Sequence, residues 1–234
     1  MKINSLFPAK SIFLAAVVTG ALATSTEAAV ALAAPAGLAP GDQFRFVFVT
    51  PSTITATSSD IGVYNSFVNT QADGATYNGS IVSWKAAGST ATVNARDNVG
   101  GFGTSVPVYR MDGTRVSNDL TTDGGGFWSG RLLPASPRLK IDLSIDGTTI
   151  NSYVWTGSNG DGTAYSGYEL GSDSPYYGDS NSTGGFIDYD STDGSYLSPM
   201  FAMSETLTVA SVPEPSTSLL SILAATMLLR RRSK

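Results

Sequence analysis

Two apolar segments, one near each end, bracket the part of this chain that can build a water-soluble core. In the first, Lys2 and Lys10 supply positive charge and residues 11–23, "SIFLAAVVTGALA", are apolar. Small residues follow, with Ala-x-Ala-like sites ending at Ala23, Ala28 or Ala33. Charge, apolar run and small residues in this order are what the export machinery reads, so residues 1–29 are expected to be a secretory signal peptide with the cleavage site open among the three. The second run, "TSLLSILAATMLL", occupies residues 217–229. Between the two, residues 30–211 are expected to form one extracellular domain of roughly 180 residues, enough to bury a sizeable core.

The second run has 13 residues. As a helix it would span about 20 Å, against roughly 30 Å of hydrocarbon in a bilayer, so a permanent anchor would have to thin the membrane or borrow its flanks. As a core helix it would leave "RRRSK" without acidic partners nearby. As a transient stop-transfer segment it is coherent. The arginines stay cytoplasmic, and the stiff Pro-Glu-Pro backbone stands just outside the membrane, preformed for a protease. Val212-Pro213-Glu214-Pro215-Ser216, the apolar stretch and Arg230-Arg231-Arg232 together resemble the PEP-CTERM sorting signal. The resemblance covers about the last 23 residues. It implies recognition by exosortase, a membrane cysteine protease-transpeptidase of Gram-negative bacteria that make exopolysaccharide. Pro213, Glu214, Pro215, Arg230, Arg231 and Arg232 would then be read by the protease rather than act themselves. The implied route is export, transient inner-membrane insertion, then release to the outer surface or extracellular matrix. Proteins of this family have diverse ectodomains, so the tail gives location and not activity.

Cys and His are both absent. An exported chain without Cys has no disulfide framework and must hold its fold by its core alone. The same absence removes a Cys nucleophile, a Ser-His-Asp triad and an ordinary zinc site. Of the 14 basic residues 8 fall in residues 30–211, against 17 of the 19 acids, leaving that region near −9. No base occurs between Lys140 and Arg230. Such a surface repels phosphate backbones, so no nucleic-acid partner is expected; it suits solubility outside the cell or cation binding.

Within the domain, "GDQFRFVFVT" (41–50) sets Phe44, Phe46 and Phe48 against Arg45, Val47 and Val49, a strand with one aromatic face. Residues 58–73 carry Ile61, Tyr64, Phe67/Val68 and Ala72 at helical spacing, with Ser58 or Ser59 as cap and Asp60 in the first turn. Residues 81–88 read as a strand. Residues 108–116 read as a hairpin on a two-residue Asp112-Gly113 turn, and a second Asp-Gly lies within 140–155. Residues 199–211 look like a closing strand. Residues 156–198 are long Gly/Asp/Ser/Tyr loops with two short strand candidates, Tyr165–Tyr168 and Phe186–Tyr189. The pattern is α+β with one helix, the alternative being an all-β sandwich. The blocks "FVFVTPSTITATSSDIGVYNSFVNTQAD", "SWKAAGSTATVNARDN" and "VWTGSNGDGT" are similar to the C-type-lectin-like domain, especially its endostatin-like bacterial relatives, over about 45–162. The resemblance implies a C-type-lectin-like mixed sheet. The usual cysteines and the Glu-Pro-Asn and Trp-Asn-Asp tripeptides are missing, so sugar binding by the calcium site of true lectins is not implied.

"DYDSTDG" places Asp188, Asp190 and Asp193 before Gly194, and "SNGDGT" offers Asn159 and Asp161. Calcium takes six to eight hard oxygens, and loops of this type supply them. Here the third Asp is one place late and Pro199 stands where the last acidic ligand belongs, and turn chemistry explains the same residues. Calcium is the one cofactor these loops admit. Trp84, Trp128 and Trp155 with the loop tyrosines Tyr165, Tyr168, Tyr176, Tyr177, Tyr189 and Tyr196 are candidates for a sugar-stacking surface. Trp84 and Trp155 sit in strand patterns that suit a core. A pair of catalytic carboxylates leaves no sequence signature, and no enzyme is expected. The functional expectation is a structural or adhesive component of the cell surface or biofilm matrix. The alternative is a module that binds exopolysaccharide; a secreted carboxylate-dependent hydrolase stands third.

Overall fold

A computed structural model describes residues 29–134 and 138–211. Residues 1–28, nearly all of the expected leader, and the tail expected to be a sorting signal, with Pro213, Glu214, Pro215 and Arg230–Arg232, lie outside the described residues. Among those residues no helix is long and apolar enough to cross a membrane.

The elements in chain order are β1 (Ala31–Leu32), β2 (Gln43–Val49), α1 (Ile61–Gln71), β3 (Thr76–Tyr77), β4 (Ser80–Ile81) and β5 (Trp84–Ala86). Then follow α2 (Ala95–Val99), β6 (Val108–Arg110), β7 (Arg115–Ser117) and a 3-10 turn (Phe127–Ser129). The chain closes with β8 (Tyr153–Trp155), β9 (Tyr176–Asp179), β10 (Asp190–Ser191), β11 (Phe201–Ser204) and β12 (Leu207–Thr208). The principal sheet runs β5-β11-β2-β6-β7, with β12 also on β2. It is mixed: β2 and β6 are parallel and the other pairs antiparallel. Two small sheets, β1-β3-β4 and β10-β9-β8, stand beside it. The architecture is therefore α+β with open mixed sheets.

Strand β2 is central, and both of its faces are covered. Phe44, Phe46 and Phe48 enter one core cluster with Tyr64, Val68, Trp84 and Trp155. Val47 and Val49 enter a second with Val108, Phe127, Trp128 and Phe186. The aromatic face is the helix side: Phe48 meets Trp84 edge-on at 4.8 Å. Arg45 breaks the apolar pattern and is nevertheless buried. Its guanidinium donates to the Val99 and Ser204 carbonyls at 2.7 and 3.2 Å and to Thr206 Oγ1 at 3.1 Å. Burial lowers its pKa, and Glu205 opposes that shift. Leaving such a group unpartnered would cost several kcal/mol; the three bonds remove that cost.

Helix α1 forms where periodicity places it but is shorter at each end than 58–73. Asp60, and not Ser58 or Ser59, is the cap: its carboxylate accepts from the Gly62 N–H at 2.8 Å. Ser58 is engaged elsewhere, since its carbonyl accepts from the Tyr64 hydroxyl at 2.7 Å and its N–H donates back to that oxygen at 3.0 Å. Left-handed Asp73 and Gly74 then stop the helix. An all-β sandwich would need this segment as loop or strand. Tyr64 and Val68 are the fully buried pair, and Phe67 packs only partly against the same cluster.

Four local expectations are corrected. Both Asp-Gly turns are three-residue loops. Gly113 and Gly147 alone take left-handed φ, of 80° and 83°, after a tight turn closed from Arg110 and Ser144. Asp112 and Asp146 keep negative φ, so neither turn is the primed type. Tyr165–Tyr168 and Phe186–Tyr189 are not strands. The ladder runs instead through Tyr176–Asp179, inside the segment expected to be loop. The second helix, α2, is five residues long and escaped the periodicity.

Candidate functional site: a tyrosine face

Strand β9 sorts the loop tyrosines. Successive side chains on a strand point to opposite faces, so Tyr176 and Tyr177 part company. On one side Tyr176 stacks on Tyr165 with ring centroids 4.3 Å apart and planes 12° from parallel. Tyr168 stands edge-on to both, at 5.2 and 5.3 Å. Tyr165 and Tyr176 are half-buried and Tyr168 is 39% exposed, so this trio offers less open ring surface than the second cluster. Desolvation, and then Tyr165, push the Tyr176 phenol pKa up.

On the other side a ladder of rings climbs out of the core. Its root is Trp155, fully buried, whose Nε1 donates to the Ile54 carbonyl at 3.0 Å. Tyr177 lies opposite it in register and meets it edge-on at 6.3 Å. Tyr153 packs on Tyr177 at 4.8 Å, and Tyr189 lies 5.7 Å from Tyr153 with its plane 28° away. Tyr153 and Tyr189 are 51% and 53% exposed, so two near-parallel rings face water on a rigid base. Both tyrosines are set by local backbone. Tyr153 begins β8, and Tyr189 precedes β10, which pairs with β9 through Asp190 opposite Tyr177.

Beside Tyr153 lies a cavity of about 370 Å³ lined by Asn151, Ser152, Tyr153, Asp179 and Asn181. Two amides, a hydroxyl and a carboxylate therefore border an exposed aromatic ring. Asp179 accepts from the Asn181 N–H at 2.8 Å, and Lys140 Nζ reaches the Asn181 side-chain oxygen. Carboxylates outnumber the one nearby ammonium, since Asp190 stands opposite Tyr177 as well.

No protein-family model matches this chain, and no curated protein matches it.

The proposed calcium residues are divided. Asn159, Asp161 and Asp188 line a second, polar groove of about 750 Å³ with Trp128, Arg131 and several glycines. Asp188 accepts from the Gly160 N–H at 3.1 Å; desolvation first, and then Asp161, raise its pKa. Asp190 and Asp193 lie elsewhere, Asp193 accepting from the Ser195 N–H at 2.8 Å within its own turn. Asp161 likewise accepts from the Thr163 N–H at 2.9 Å. Among the described residues no group of three or more His, Cys, Asp or Glu side chains that could hold a metal is brought together, although Asn159, Asp161 and Asp188 share the one groove. Trp84, Trp128 and Trp155 are all fully buried and supply no exposed stacking face. Tyr196 is 62% exposed but belongs to neither tyrosine cluster. Sequence reasoning missed Tyr153 and its neighbours Asn151, Asp179 and Asn181. The available signal was the spacing of Tyr153 and Trp155, which share one strand face with the tyrosine toward the outer end.

Proposed function

We propose that this chain is an exported cell-surface or matrix protein, sorted through its PEP-CTERM-like tail by exosortase, whose ectodomain holds polysaccharide on the Tyr153–Tyr177–Tyr189 face. The observation that carries the polysaccharide reading is the pairing of two exposed, near-parallel tyrosines with a polar pocket. A sugar ring presents C–H groups on its faces and hydroxyls at its rim. Flat aromatic rings suit the first, and amides with a carboxylate suit the second. Because the tyrosines are rooted on buried Trp155, little ordering entropy is lost on binding. The local excess of carboxylates favours an uncharged or weakly charged polymer over a polyuronate. Adhesion to a matrix and polysaccharide binding are then one activity seen at two scales.

The C-type-lectin-like reading of the fold is supported by element order. Strand β2, helix α1, the Trp84-Lys85-Ala86 strand and the Val154-Trp155 strand follow in the sequence that the resemblance implies. Gly157, two residues past Trp155 in the last block, takes φ 58°, in a position where a Cβ would lie 2.4 Å from the Leu170 backbone nitrogen.

Two measurements test the proposal. Intact mass of the protein from its exporting cell should place the C-terminus between Pro213 and Ser216; retention of Arg230–Arg232 in the mature pool would overturn the sorting reading. Titration of the exported protein with a panel of neutral and acidic polysaccharides should give saturable binding to neutral chains. Absence of binding across the panel would leave only a structural matrix role.

A further inference from the structure

We infer that the export leader is removed upstream of Val30, after Ala28 or Ala23, and that the third sequence candidate, Ala33, is not the processing site. This rests on the reading of residues 1–29 as a leader. Residues 30–34 are an extended segment with period-two burial: Val30, Leu32 and Ala34 are turned toward the protein and Ala31 and Ala33 toward water. Alternation of this kind marks a half-buried strand. It is held as one. Ala31 and Leu32 pair in parallel with Thr76 and Tyr77, and the Thr76 N–H donates to the Val30 carbonyl at 2.9 Å.

Side chains repeat the message. Val30, Leu32 and Ala34 pack against the core cluster that contains Phe44, Phe46 and Tyr77. Pro35 is buried, its Cα 3.9 Å from where a Cβ on Gly113 would stand. The segment thus forms one wall of a cavity of about 520 Å³ whose opposite side includes Phe46, Met111 and Ile145.

A leader peptidase acts on the chain before the domain has folded, so the fold does not shield Ala33. It shows instead what each cut would leave. A cut after Ala33 would discard both residues of β1, orphan the Thr76 N–H beside β4 and open the aromatic face of β2 to water. Cuts after Ala23 or Ala28 leave every one of these contacts in place.

The test uses the full chain with its own leader, expressed in an exporting Gram-negative host, with N-terminal sequencing of the exported protein. A first residue of Thr24 or Ala29 is expected, and a first residue of Ala34 would overturn the inference. An exported pool still starting at Met1 would overturn the leader reading itself, which separates the two failures. Leu32→Asp in the same full chain gives a second readout. It lowers the melting temperature of the exported protein by more than about 2 °C if Leu32 is retained and packed. An unchanged melting temperature contradicts retention.

Discussion

The side chains of Asn65, Asn69 and Asn98 take the place of a neighbouring strand for β5. Asn69 accepts from the Trp84 N–H at 3.0 Å and donates to the Trp84 carbonyl at 2.6 Å. Asn65 accepts from the Ala86 N–H at 2.9 Å, and Asn98 donates to the Ala86 carbonyl at 2.8 Å. The open edge of β5 is thereby closed, and its backbone groups are satisfied. Asn65→Ala should cost about 1–3 kcal/mol because it orphans a partly buried N–H, while the adjacent exposed Ser66→Ala should stay within about 0.5 kcal/mol. Denaturant titration of both variants checks this, and equal small effects would contradict it. Apolar spacing cannot show such a role, since it assigns Asn65 to the helix face opposite Phe67; the information lies in partners far along the chain. Asp112 makes a second prediction at this scale. Burial would raise its carboxyl, but Arg110 and the Thr114 hydrogen bonds outweigh that and lower it from 3.8 to about 2. A depressed pKa contributes stability above the unfolded value that is lost as pH falls through the folded one. Asp112→Asn should therefore flatten the fall in melting temperature as pH drops from 3.8 toward 2; parallel curves for the two proteins would contradict it. The carboxylate is 39% exposed, so solvent screening keeps the effect small.

At the scale of elements, β9 and the 180s loop are fitted backbone to backbone. A Cβ on Gly178 would lie 1.7 Å from the Phe186 carbonyl oxygen. The loop presses there because Phe186 and Ile187 are fully buried, and Thr156 Oγ1 donates to the Ile187 carbonyl at 2.6 Å. This contact sets where Tyr189 emerges relative to Tyr177. Gly178→Ala should cost about 2–3 kcal/mol or more by overpacking, whereas Gly184→Ala in the same loop, with 3.6 Å to Arg131 Cγ, should be nearly neutral. Thermal melts of the two variants give the comparison, and similar losses in both would refute the close fit. Helix α1, β2 and the closing strand were legible because local periodicity dictates them. Strand β9 was not, since Tyr-Tyr-Gly-Asp has no alternation, and its partners Tyr153–Trp155 and Asp190–Ser191 lie beyond any local window. The three-residue hairpin loops were hidden for a related reason: Asp-Gly suits both turn types, and the flanking register decides between them.

For the whole molecule, the two ends of the domain meet in the middle. Strand β2 pairs with β11 and β12, and the Gly41 N–H donates to the Val209 carbonyl at 2.9 Å. With no disulfide to close the chain, this pairing and two cores on either side of one sheet hold the long loops between. The loops carry the candidate site on a rigid base, and the acidic balance of the domain bears on which polymers can approach it. Exposed Tyr153 and Tyr189 are proposed to grip a neutral polysaccharide. The most direct measurement is the dissociation constant of the protein for such a polymer, compared with the Tyr153→Ala/Tyr189→Ala double variant and with Tyr196→Ala, which removes an exposed ring outside the cluster. The double variant should bind at least about tenfold more weakly, a loss of about 1.4 kcal/mol, with an unchanged melt, and Tyr196→Ala should bind as the wild type does. Equal affinity in all three proteins would contradict it.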